Sequence, residues 1–194
     1  MKSRNGSLSE VFVQKLLRQI AVGIKQLMEK KITLEFICPQ SFCFKSFESE
    51  DNFKVKFFDY GLCRIFNDIY YQRSYLLNEG ILGEIKHQKT NILGLGLTVF
   101  KLLFGDNIYK FKSEETMEES MLKLKSKFFT FNRKVKPIKI TKSVSKECKY
   151  FIEKTCHLNL EKRYDWKNLL DDSFIKIQYN EDILIMSPKL QSSG

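Results

Sequence analysis

The sequence predicts a mainly α domain, a helical bundle packed around one buried central helix, with a small β-hairpin at its side. Three patterns predict it. Val13, Leu16, Leu17, Ile20, Ile24, Leu27 and Met28 recur at steps of three and four, which puts them on one face of a helix running to about Lys30. Ile92 to Phe104 is apolar on every side, as expected of a helix at the centre of a domain. Between these stretches, Phe42-Cys43-Phe44 and Lys54-Val55-Lys56-Phe57-Phe58 read as two short strands flanking an acidic loop, Glu48 to Asn52.

The elements follow in chain order. Ser7 and Glu10 have the spacing of a capping box and should start the first helix. Gln14, Lys15, Arg18, Lys25 and Gln26 fall mostly on its polar side. Lys31 to Ser41 is irregular, and Pro39 bars a helix there. After the hairpin, Asp59 to about Glu79 shows no period and reads as loop. Gly105 and Asp106 should end the central helix, and Ser113 with Glu114 and Glu115 should start another. Ser145 can cap a helix carrying Cys148, Phe151, Ile152 and Cys156 inward; Asp165 can cap a last one holding Trp166, Leu169 and Leu170. The expected organisation is a flexible start at 1–6, one lobe over 7–177 and a loose polar tail over 178–194.

Composition narrows the function classes. The 194 residues are 43% hydrophobic and 29% charged, enough apolar mass for one core and too much for global disorder. No secretory signal opens the chain, and Ile92 to Phe104 falls short of the roughly 20 residues of a membrane helix. A soluble, cytoplasmic protein with no membrane partner is expected. Its five cysteines (Cys38, Cys43, Cys63, Cys148 and Cys156) form no C-x-x-C, and His87 and His157 give no metal spacing. They read as reduced packing thiols, with no metal and no cofactor. The net charge of +10 is concentrated: Met121 to Lys149 holds ten basic residues against one acid, Glu147, a net of +9.

Six short stretches carry a family resemblance. Leu17-Arg18-Gln19-Ile20-Ala21-Val22-Gly23-Ile24 is similar to the protein-kinase helix that leads into the catalytic loop. Phe58-Asp59-Tyr60-Gly61-Leu62-Cys63-Arg64 resembles the D-F-G motif, and Tyr75-Leu76-Leu77-Asn78-Glu79 the stretch ending in A-P-E. Asn91-Ile92-Leu93-Gly94-Leu95-Gly96 resembles the D-x-W-x-x-G start of the central helix, Asn159-Leu160-Glu161-Lys162-Arg163 the late D-P-x-K-R turn, and Asp172-Ser173-Phe174 its H-P-F close. In this order, over about Leu8 to Ile175, they resemble the carboxy-terminal lobe of a protein kinase, loosely of the autophagy-initiating serine/threonine type. No Gly-rich loop or V-A-I-K-like strand precedes Ser7, so the resemblance implies a lobe without its amino-terminal partner.

The same alignment implies lost chemistry. Where kinases carry H-R-D-x-x-x-x-N, this chain reads Leu34-Glu35-Phe36-Ile37-Cys38-Pro39-Gln40-Ser41. Phe36 stands for the base Asp, Cys38 for the catalytic-loop Lys, Ser41 for the magnesium-binding Asn and Glu35 for the Arg that holds a phosphorylated loop. A positioned base is worth about 10²–10⁴ in rate, and Phe36 can accept no proton. Asp59 would be a vestigial metal ligand. Leu34 could fill the space of the family's His, and Asn91 could still accept the bond its Asp counterpart takes. Glu79 and Arg163 match a pair that fastens the family's fold.

The resemblance thus implies a catalytically inactive scaffold. The basic stretch, with Lys123, Lys125, Lys127, Arg133, Lys134, Lys136 and Lys139, falls where the family docks partners. It would face an acidic protein surface or a multi-subunit assembly, cytoskeletal filaments included. Phe36 and Ile37 are expected to add to an apolar face left open by the missing lobe. Two alternatives stand: a kinase piece whose upper lobe comes from another chain, and a basic nucleic-acid-binding module in which Phe128, Phe129 and Phe131 stack on bases.

Overall fold

A computed structural model of the chain describes residues 7–32, 37–57, 87–108, 143–157 and 159–176, with Thr116, Glu119, Leu122 and Ile140. Within them the order is α1 (Glu10–Glu29), a single 3-10 turn (Pro39–Ser41), β1 (Phe42–Phe47), β2 (Phe53–Phe57), α2 (His87–Phe104), α3 (Lys146–Thr155) and α4 (Trp166–Leu170). The described part therefore combines four helices with one antiparallel hairpin. None of the described helices is long and apolar enough to cross a membrane.

Helix α1 buries the predicted face: Val13, Leu16, Leu17, Ile20 and Ile24 are inside. Met28 is 39% exposed, because the last turn runs past the core. The cap is Ser9, two residues beyond the expected Ser7; its hydroxyl accepts the Phe12 N–H at 3.2 Å. The carboxylate of Glu10 is engaged elsewhere, accepting the Ser145 N–H at 2.9 Å, and so ties the start of α1 to the start of α3. At the other end Ile32 N–H reaches Leu27 O and Lys31 N–H reaches Met28 O, both at 2.9 Å. This closure requires a left-handed residue, and Lys31 supplies it at φ 57°.

The hairpin is longer than the sequence suggests. β1 runs on to Phe47 and β2 begins at Phe53, so only the five residues 48–52 turn the chain. The register pairs Phe42 with Phe57 and Phe44 with Val55, then slips by one residue between Phe44 and Ser46. This bulge brings Phe44 and Phe47 together, with ring centroids 5.0 Å apart, although residues three apart on a regular strand face opposite ways. Gln19 of α1 stitches the sheet down: its Nε2 donates to Phe53 O and its Oε1 accepts from Val55 N, each at 2.9 Å.

Helix α2 is the centre of the described part. It begins at His87, five residues before the apolar run, and every residue from Asn91 to Phe100 is buried. It ends where predicted, at Gly105, whose φ is 72°. Two glycines let neighbours press on it. A Cβ on Gly94 would lie 2.3 Å from the Ile37 carbonyl oxygen; one on Gly96 would lie 2.4 Å from Thr155 Oγ1 and 2.6 Å from Cys156 Sγ. Helices α3 and α4 carry the predicted caps, Ser145 Oγ accepting from Cys148 N at 3.0 Å and Asp165 Oδ1 from Asn168 N at 2.8 Å. They bury Cys148, Phe151, Ile152, Trp166 and Leu169. Leu170 only borders the core. Thr116 and Glu119 form a reciprocal cap, three residues past the predicted Ser113 start, which lies outside the described residues.

Candidate functional site

The segment aligned with the kinase catalytic loop is described from Ile37 onward. Cys38 is extended, Pro39 opens the 3-10 turn with its fixed φ, and Ser41 closes it. The turn bonds to itself. Ser41 N–H donates to Cys38 O at 3.0 Å, and Cys38 N–H donates to Ser41 Oγ at 3.1 Å. The thiol and the hydroxyl also face each other at 3.4 Å. Both side chains are buried, Cys38 at 3% exposure and Ser41 at 1%.

Ile37 corrects an expectation. It was to join an exposed apolar face, but it is fully buried, with its carbonyl packed onto Gly94 of α2. A glycine on the central helix makes room for that backbone, and the isoleucine follows it into the core.

Among the described residues of this segment, Cys38 and Ser41 offer a magnesium ion no carboxylate. Magnesium takes hard oxygen donors, usually carboxylates together with phosphates. At the position of the family's magnesium-binding Asn, Ser41 presents a neutral hydroxyl that already accepts a backbone N–H. Leu34, Glu35, Phe36, Asp59 and Glu79 lie outside the described residues. So do Lys123, Lys125, Lys127, Arg133, Lys134, Lys136 and Lys139. Of the basic stretch, Lys146 and Lys149 are described, and both are exposed on α3.

Arg163 is 2% exposed and fastens two elements. Its Nε donates to His157 O at 2.8 Å and its Nη1 to Lys89 O at 3.0 Å. Lys89 answers with its Nζ, which donates to Leu160 O at 2.6 Å. The turn at 157–163 is thereby bound to the first turn of α2. Close by, Asp172 is buried and accepts from Tyr164 Oη and from Phe174 N, both at 2.8 Å. Burial and the Asp172 carboxylate raise the Tyr164 hydroxyl above its ordinary range. Burial pushes the Cys148 and Cys156 thiols up to about 12, so neither is poised as a nucleophile. It also holds the His157 imidazole below its ordinary value.

Sequence reasoning missed a cavity. An apolar pocket of about 470 Å³ opens between α1, the hairpin and the end of α2. Leu8, Phe12 and Leu16 form one wall, Phe42, Cys43, Phe44 and Phe47 another, and Thr98 with Leu102 the floor. The signal was the density of phenylalanine on β1, more than a half-buried strand needs. The bulge that gathers Phe44 and Phe47 left no sequence mark.

Comparison with known proteins agrees with this architecture. The protein kinase domain model matches residues 1–175. Among solved structures, the chain is similar to one described as the crystal structure of Rad53 kinase domain and SCD2, with a TM-score of 0.64 at 16% identity. The match covers 90% of this chain and 59% of that one, so this chain spans little more than half the length of its structural relative. At that identity the likeness concerns the fold alone. No curated protein matches the chain by sequence. With nine-tenths of its length matched by the domain model, and a central helix, hairpin and closing turn arranged to suit, the chain belongs to the protein kinase family.

Proposed function

We propose that this chain is a kinase-family lobe that does not transfer phosphate and serves as a binding or scaffolding subunit. The observation that supports this best is the closed turn at 38–41. Ser41, aligned with the family's magnesium-binding Asn, spends its hydroxyl on the Cys38 backbone at 1% exposure. Cys38, aligned with the catalytic-loop Lys, is a buried thiol without positive charge. Phe36, aligned with the base, has no group that takes a proton. Phosphoryl transfer consists mainly of positioning and charge neutralisation, and each of these residues removes one part of it.

Substitution has spared packing roles. Gly96 and Arg163, which match the family's motifs, sit at close contacts between the elements of the fold. The partner in this reading is an acidic protein surface or assembly, engaged by the basic stretch 121–149 with its net charge of +9.

Thermal denaturation with and without Mg-ATP tests the proposal, alongside transfer from labelled ATP to a generic protein substrate. We expect a shift below about 1 °C and no transfer, since a ligand stabilises only what it binds. A shift of several degrees, or transfer abolished by Asp59→Ala, would overturn it.

A further inference from the structure

The apolar cavity has an occupant in the same chain. Its lining offers little to a polar ligand: the Thr98 hydroxyl already donates to Gly94 O at 2.8 Å. Phe44 and Phe47 remain 46% and 44% exposed at its mouth, an apolar surface of the kind proteins normally cover. Past Lys176, the last described residue, Ile177, Tyr179 and Leu190 stand singly among polar residues, and the longest apolar run is Ile183-Leu184-Ile185-Met186, preceded by Glu181 and Asp182. We propose that this run docks into the cavity of its own chain.

Reach favours it. The chain leaves the fold beside α1, where Gln14 Nε2 donates to Phe174 O at 2.8 Å. Gln14 lies about 200° round the helix from Phe12 and Leu16, which line the cavity. A helix is about 10–12 Å across, so half its girth is roughly 17 Å. The seven residues from Lys176 to Ile183 span up to about 23 Å when extended.

The proposal is independent of whether the lobe transfers phosphate. Cys43 lines the cavity and reports on it. Full-length protein and the variant Ile183→Ser/Leu184→Ser/Ile185→Ser/Met186→Ser are treated with N-ethylmaleimide, and each cysteine is followed by mass spectrometry. A run docked nine-tenths of the time slows access about tenfold, so Cys43 should react about ten times faster in the variant. Buried Cys38 and Cys148 should react equally in both, showing an intact fold. Protection in the parent should not depend on protein concentration. Equal Cys43 rates in the two proteins would overturn the proposal. So would protection that grows with concentration, which would place the run of a second copy in the cavity.

Discussion

At the scale of single residues, the turn at 38–41 is held by its own members, Ser41 Oγ accepting the Cys38 N–H at 3.1 Å. Cys38 and Ser41 could be read as replacements from their positions before the hairpin. Their bonds to each other are local to the turn, whereas the inward turn of Ile37 depended on Gly94, more than fifty positions away in the sequence. Lys31 is another such case. Nothing in Glu29-Lys30-Lys31-Ile32 marks a left-handed residue, yet the closing bonds to Leu27 and Met28 exist only if Lys31 adopts one. A left-handed L-residue costs roughly 1–2 kcal/mol. Glycine avoids this but loses roughly 0.5–1 kcal/mol of chain entropy. Lys31→Gly should therefore raise stability by about 0.5–1 kcal/mol, seen as a higher urea midpoint with an unchanged slope.

At the scale of elements, the sequence located each described helix, while contacts between elements set its limits. Ser7 and Ser9 both precede the apolar face of α1, and the spacing of Ser7 to Glu10 favours the first. Tertiary structure reverses the choice, because Glu10 is drawn to the Ser145 N–H and cannot complete a box with Ser7. The hairpin was read too short for a similar reason. Lys45-Ser46 looks like the end of a strand, but the bulge carries the ladder past it to the Phe47–Phe53 pair. The capping assignment is testable with paired substitutions. Ser9→Ala should cost about 1 kcal/mol, the usual worth of an N-cap, while Ser7→Ala should stay within about 0.5 kcal/mol of the parent. Equal losses at the two sites would reject Ser9 as the cap.

At the scale of the whole molecule, α2 organises the described part, and its glycines determine how closely its neighbours approach. Gly94→Ala would push a methyl group to 2.3 Å from a backbone carbonyl, which cannot rotate away. Overpacking of this sort costs about 1–3 kcal/mol and at times more, so the urea midpoint should fall sharply. Gly96→Ala meets side chains of Thr155 and Cys156 and should be the milder of the two. Fully and partly buried ionisable groups set the pH range in which the fold holds. Burial keeps His157 below its ordinary value of 6.5, so the unfolded chain binds the extra proton more readily. Its contribution is complete above that pH and declines as the medium becomes more acid. Cys148 and Cys156 work in the opposite sense. Their thiols ionise near 9 when unfolded and at about 12 when folded, so their contribution is complete below 9 and is lost on the way to 12. Tyr164, raised beside Asp172, steepens the alkaline side. Urea midpoints measured against pH should form a plateau from about 6.5 to 9, with a shallow acid shoulder from the partly exposed His157 and a steeper alkaline fall. Cys156→Ala should lower the whole curve slightly while flattening its alkaline limb. An unchanged alkaline slope in that variant would show that the buried thiols do not govern it.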